Sequence, residues 1–147
     1  EVRSMMAMAD TLAGICIANV GTTLPHSMGQ AVSGHFPHVP HGTALAAVYP
    51  PIMEYSWNSS VKKFATVARL LDPFLKDAND REAAKASRSA MEKFLRSIGL
   101  LKNFKDIEVD ARSLPQMSKD AKFFPDTEVH PRIADEKKIE SLYRELA

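Results

Sequence analysis

Charge is missing from a long stretch of this chain: residues 11 to 53 contain no Asp, Glu, Lys or Arg. Surface segments normally carry charge, so this stretch either builds the core or lies against something outside it. Cysteine is nearly absent as well. The single Cys16 excludes an internal disulfide, fits a reducing compartment and is expected to be a small buried hydrophobe. Glycine amounts to six residues, five of them between positions 14 and 42, and none falls in a phosphate-binding pattern. Long hydrophobic runs are missing too. The apolar segment from Leu12 to Leu24 is interrupted by Asn19, Gly21, Thr22 and Thr23 and meets Pro25, so it is too short and too polar to span a bilayer. The first residues show no basic region followed by an apolar run, so no signal peptide is read there. A formal net charge of +1, with basic residues interspersed among acids, offers no footprint for nucleic acid or an anionic membrane.

What is present reads as helix. At 147 residues the chain suits one domain, and 45% hydrophobic with 25% charged residues is the balance of a globular protein. Met5, Met8, Leu12 and Ile15 recur at three or four residues, predicting a helix over residues 2–20. A second short helix is expected from about Thr23 to Ser33, closed by Gly34. A loop with Pro37 and Pro40 follows, then a helix over 41–49 that Pro50-Pro51 should kink or break. Asn58 or Ser59 is the expected cap for a helix carrying Val61, Phe64, Ala68 and Leu71. Asp80 is the expected cap of the next, with Ala84, Met91, Phe94, Leu95 and Ile98 on its apolar stripe and Gly99 at its end. Leu114, Met117, Ala121 and Phe124 predict a further helix, stopped by Pro125. Asp135 caps the last one, with Ile139, Leu142, Tyr143 and Leu146 on one face. No segment alternates with period two. The fold class is all-α.

Four of the five histidines fall within sixteen residues: His26, His35, His38 and His41. Neutral imidazole is the commonest metal ligand among side chains, and a charge-free surround leaves a metal as the largest local charge. The spacing matches no compact zinc pattern, because no His-x-x-x-His, intervening acid or cysteine pair is present. The cluster can instead supply two ligands from two elements, His26 from a short helix and His41 from the start of the next. Pro40 would fix the approach of His41, and Gly42 would let the backbone turn behind it. The acid that precedes the stretch, Asp10, lies too far along its helix to join them, so other ligands must come from elsewhere.

The run Ala13-Gly14-Ile15-Cys16-Ile17-Ala18-Asn19, then Gly21-Thr22-Thr23-Leu24-Pro25-His26-Ser27-Met28-Gly29, Gly34 and Pro40-His41-Gly42, resembles the iron-containing (group III) alcohol dehydrogenase family. The ending, His130-Pro131-Arg132 and a short helix, resembles the C-terminal end of that family. The resemblance implies the helical, bundle-like C-terminal portion of a dehydroquinate-synthase-like fold. It implies that residues 1–147 are part of the metal-binding helical domain, and that an N-terminal nucleotide-binding domain of the same chain is missing. It implies His26 and His41 as ligands of Fe²⁺ or another divalent ion, with Ile17, Asn19 and Gln30 lining the substrate pocket. Gln30 stands where the family often has a second histidine, and His38 lengthens the loop by one residue.

The expected function is hydride transfer between a small alcohol or aldehyde and NAD(P), in a cytoplasmic homo-oligomer, with neither cofactor held tightly by this segment alone. The chain begins at Glu1, directly in a helical pattern, and a fragment of a longer protein is expected. The face formed by residues 5–34 should then lie bare and promote self-association. The alternative is a stand-alone helical interaction module whose uncharged third is a docking surface.

Overall fold

Helical periodicity carries nearly every boundary of this fold. The computed structural model describes residues 1–147 as eight α-helices without a strand. They are α1 (Val2–Val20), α2 (Leu24–His35), α3 (His41–Ser56), α4 (Val61–Leu71), α5 (Asp80–Lys85), α6 (Ser87–Ser97), α7 (Leu114–Phe123) and α8 (Glu136–Arg144). The all-α class read from the sequence is the class observed. No single helix is long and apolar enough to cross a membrane.

The main core lies between α2, α3, α7 and α8. Leu24, Met28 and Val32 of α2 meet Ala44, Val48 and Ile52 of α3, Leu114, Met117 and Ala121 of α7, and Ile139, Leu142 and Tyr143 of α8. Removing such side chains from water is worth roughly 1.5–3 kcal/mol each, which outweighs modest local propensities. A smaller cluster, Ala65 with Ala83 and Ala84, joins α4 to α5. Tyr143 ties the last helix to the second: its hydroxyl donates to the Met28 carbonyl at 2.7 Å, and its ring packs 5.7 Å from that of Phe104. Burial raises the Tyr143 hydroxyl's pKa, with Asp120 adding to the effect, so the group stays a neutral donor.

Several sequence expectations are corrected by packing. Pro50 and Pro51 do not break α3, which runs through both to Ser56. Proline removes an amide and crowds the preceding turn, but both rings are buried beside Ile52 and Met53, and that burial decides the path. Helix α2 passes Gly34 and ends at His35. Asn79, not Asp80, caps α5 by accepting from the Glu82 amide at 3.0 Å. Ser60, rather than Asn58 or Ser59, stands before α4, with no side-chain cap bond. The helix expected beyond residue 80 is two, separated at Ala86, and Phe94 and Ile98 stay largely exposed. Asp135 caps α8 as expected, accepting from the Lys138 amide at 2.8 Å, and Gly99 takes a φ of 73°.

Helix α1 is the exception to burial. None of its residues is buried, Met5, Leu12 and Ile15 being 67%, 55% and 54% exposed. Cys16 is therefore exposed, against the expectation of a buried hydrophobe, because its whole helix has nothing to bury against. Gly21, with φ 69°, makes the turn between α1 and α2, whose axes differ by 104°. Beyond that turn α2 is well buried, so the bare part of the 5–34 face is confined to α1.

Two outcomes follow. Tyr143→Phe leaves the Met28 carbonyl buried without its donor and should cost about 1–3 kcal/mol in denaturant unfolding; an unchanged midpoint would count against the tie. The 147-residue chain should self-associate in sedimentation, and removing residues 1–20 should return it to monomer while the α2, α3, α7, α8 core keeps its amide protection.

Candidate metal centre

Local chemistry places two imidazoles at the mouths of two helices. Extended backbone at Thr23 opens α2, the Thr23 carbonyl accepts the His26 amide at 2.8 Å, and Pro25 spends no amide in the first turn. Pro40 precedes α3, its carbonyl accepts the Ala44 amide at 3.0 Å, and His41 is the first helical residue. Gly29 allows the two helices to approach. A Cβ there would lie 2.8 Å from Leu45 Cδ2 and 3.4 Å from His41 Cε1.

The result is a close pair. His26 Nε2 and His41 Nε2 stand 3.3 Å apart, with ring centroids 4.9 Å apart and planes inclined by 68°. That separation is long for a hydrogen bond, which prefers about 2.7–3.2 Å. Two nitrogens each about 2.1 Å from one ion, subtending about 105° at it, would stand about 3.3 Å apart. The donors present therefore fit a shared divalent ion. His26 titrates below the ordinary histidine range, first through burial and second through His41 beside it, while the Asp126 carboxylate pulls the other way. Neutral imidazole is the form a metal requires.

No group of three or more His, Cys, Asp or Glu side chains in the chain is placed to hold an ion. The two imidazoles that the spacing singled out, His26 and His41, are the pair the structure brings together. Asp126 was not foreseen: it lies a hundred residues from His26 in sequence, in the 3-10 turn Pro125–Thr127 that packs on α2. Nothing local could have shown it, since the approach arises between elements.

Other expected residues are placed as follows. Ile17 and Asn19 lie exposed on α1, where the Asn19 amide donates to the Ile15 carbonyl at 2.7 Å. Gln30 follows His26 by one turn of α2, and its buried Oε1 has no partner; it faces a recess with His35, Asp120, Phe123 and Phe124. His35 donates to Asp120 at 2.6 Å, and this bond, before that from Gln116, holds the Asp120 carboxyl below the usual range. His38 donates to the Ile107 carbonyl at 3.2 Å. Both bonds are structural links from the loop to its neighbours.

The fifth histidine, His130, is buried. Its Nε2 shares a 2.6 Å hydrogen bond with Ser56, its Nδ1 has no partner, and its ring lines a largely apolar cleft with Pro25, Tyr49, Ile52 and Phe64.

Comparison with known proteins follows the same lines. The sequence model of the Fe-containing alcohol dehydrogenase family, C-terminal, matches residues 1–147. Choline dehydrogenase of Bacillus subtilis (strain 168) is 31% identical over 144 residues, which are 98% of this chain and 35% of that protein. The 1,3-propanediol dehydrogenase of Klebsiella pneumoniae is 26% identical over 99% of this chain and 37% of its own length. A crystal structure of 1,3-propanediol oxidoreductase superposes with a TM-score of 0.89 at 26% identity, covering 97% of this chain and 37% of the other. The chain thus spans about a third of the length of the curated relatives it matches.

Burial of His130 makes a pH prediction. Desolvation lowers its pKa to about 4 in the folded protein, against about 6.5 unfolded. The folded state therefore takes up its proton later, and this contribution is complete above pH 6.5 and is lost as pH falls toward 4. The loss amounts to at most about 3 kcal/mol. His130→Gln should flatten the fall in stability between pH 6.5 and 4, measured by urea unfolding; an unaltered slope would contradict it.

Proposed function

Because the chain belongs to the Fe-containing alcohol dehydrogenase family, we propose that it forms the C-terminal part of the metal-binding helical domain of an NAD(P)-linked alcohol dehydrogenase. The observation that carries this reading is the 3.3 Å approach of His26 Nε2 to His41 Nε2 across two helix N-termini. Fe²⁺ or another divalent metal is the proposed ion, with His26 and His41 as two of its ligands. The remaining ligands and the nucleotide-binding domain belong to polypeptide N-terminal to this segment; the partial coverage of the relatives supports that assignment.

When bound, the ion supplies Lewis-acid polarisation of an alcohol or aldehyde oxygen, and NAD(P) exchanges the hydride. The residues of this chain bind and position. His26 and His41 present their Nε2 atoms toward one point, and the close packing at Gly29 fixes their separation. The charge-free residues 11–53 place no competing ion pair beside the two imidazoles. Ile17 and Asn19, on α1, and Gln30, one turn beyond His26, are the proposed substrate-facing side chains. A small alcohol or aldehyde is the proposed substrate class; the choline and 1,3-propanediol named for two relatives fit that class. A homo-oligomer and a cytoplasmic location are part of the same proposal and rest on the family resemblance. Two neutral nitrogens alone leave an ion mostly hydrated, so the isolated segment is proposed to be catalytically silent.

The bare apolar face of α1 also suits a self-sufficient docking module. A family match running the whole length of the chain favours the dehydrogenase reading.

In the complete polypeptide, His26→Ala and His41→Ala should each abolish stoichiometric metal by elemental analysis. Each should also lower NAD(P)-dependent alcohol oxidation by about a hundredfold or more, since even outer partners of metal ligands are worth 10–100-fold. Full metal content in both variants would overturn the assignment, as would ordinary dehydrogenase turnover by residues 1–147 alone.

A further inference from the structure

Helices α3, α4 and α6 leave a cleft of about 270 Å³ between them. Its wall is mostly apolar: Tyr49 and Ile52 come from α3, Phe64 and Val67 from α4, and Met91 from α6. The His130 ring, held by Ser56, also lines it. Neither His26 nor His41 is in the wall. Tyr49 and Val67 stay 37% and 38% exposed along it. Water in such a space finds few partners, whereas an aliphatic chain gains by leaving solvent.

Charge on this cleft has one sign. No Asp or Glu lines it, and Lys63 is its one lysine or arginine. Lys63 is exposed and enters none of the chain's ion pairs. Its methylene stem can follow the apolar wall while the ammonium stays in water. A single cation beside an apolar wall complements a molecule with an apolar tail and one negative charge. An alkylammonium would meet a like charge, and a doubly charged head would be only half compensated. A carboxylate head fits.

We propose that this cleft binds an aliphatic monocarboxylate, with its chain against Tyr49, Ile52, Phe64, Val67 and Met91 and its carboxylate at the Lys63 ammonium. The volume sets the length. At about 30 Å³ for each water-sized unit, and with a methylene of similar size, the cleft takes about six to ten carbons. Affinity comes from the chain, and Lys63 selects the head group.

Calorimetric titration of the complete polypeptide with the carboxylates from butanoate to dodecanoate, and with octan-1-ol and octylamine, tests this. Affinity should rise about fourfold per methylene from butanoate to octanoate and level off once the chain outgrows the cleft. Octylamine should bind more weakly than octanoate. Lys63→Met should weaken octanoate about twofold to fivefold, the range for an exposed ion pair, and leave octan-1-ol unchanged, while Lys63→Arg keeps octanoate binding. Val67→Trp, which fills the cleft, should abolish binding of both octanoate and octan-1-ol; if it fails to fold, Val67→Phe is read in its place. Absence of saturable octanoate binding overturns the proposal. So does unchanged octanoate affinity in Lys63→Met, or binding that survives the cleft-filling variant and so belongs to another surface such as α1.

Discussion

Everything functional in this chain depends on the close approach of two helix N-termini. Helices α2 and α3 leave the loop between them in such a way that His26 and His41 face each other across 3.3 Å. Gly29 permits it, because any side chain there would press on Leu45 and then on His41. The same approach puts two helix N-termini, each carrying partial positive charge, at one place. An arrangement of this kind is costly in an isolated domain and useful in a metal centre.

The rest of the molecule serves that approach. The Tyr143 hydroxyl holds the Met28 carbonyl, two residues past His26, so α8 fixes the register of α2. His35 and His38 tie the end of α2 and the following loop to Asp120 and Ile107. Ser56 and His130 join the far end of α3 to the segment leading into α8. These bonds join residues 69 to 115 positions apart, which gives the histidine pair a rigid frame. The one conspicuous failure to bury, α1, leads directly into the site through Gly21.

Much of the candidate site is legible in the amino-acid sequence. The charge-free stretch, the histidines separated by a Pro-rich loop, and the absence of a complete ligand set all pointed to two ligands from two elements. Helix limits were legible wherever apolar period and a good cap agreed, as at Asp135 and Gly99. They were misread where packing overrode propensity. Pro50 and Pro51 looked like a break, yet burial of both rings carries α3 onward. Cys16 looked like a core residue, because composition cannot tell that a helix has no neighbour.

The amino-acid sequence alone determined the helical class, the identity of the paired imidazoles and their neutral surround, since each rests on periodicity, residue type or local charge. Tertiary structure alone decided that His130 is sealed against Ser56 and that Tyr143 anchors Met28. The physical reason is separation along the chain: electrostatic and hydrogen-bonding partners a hundred residues apart leave no local trace, and only the packing of helix on helix brings them together.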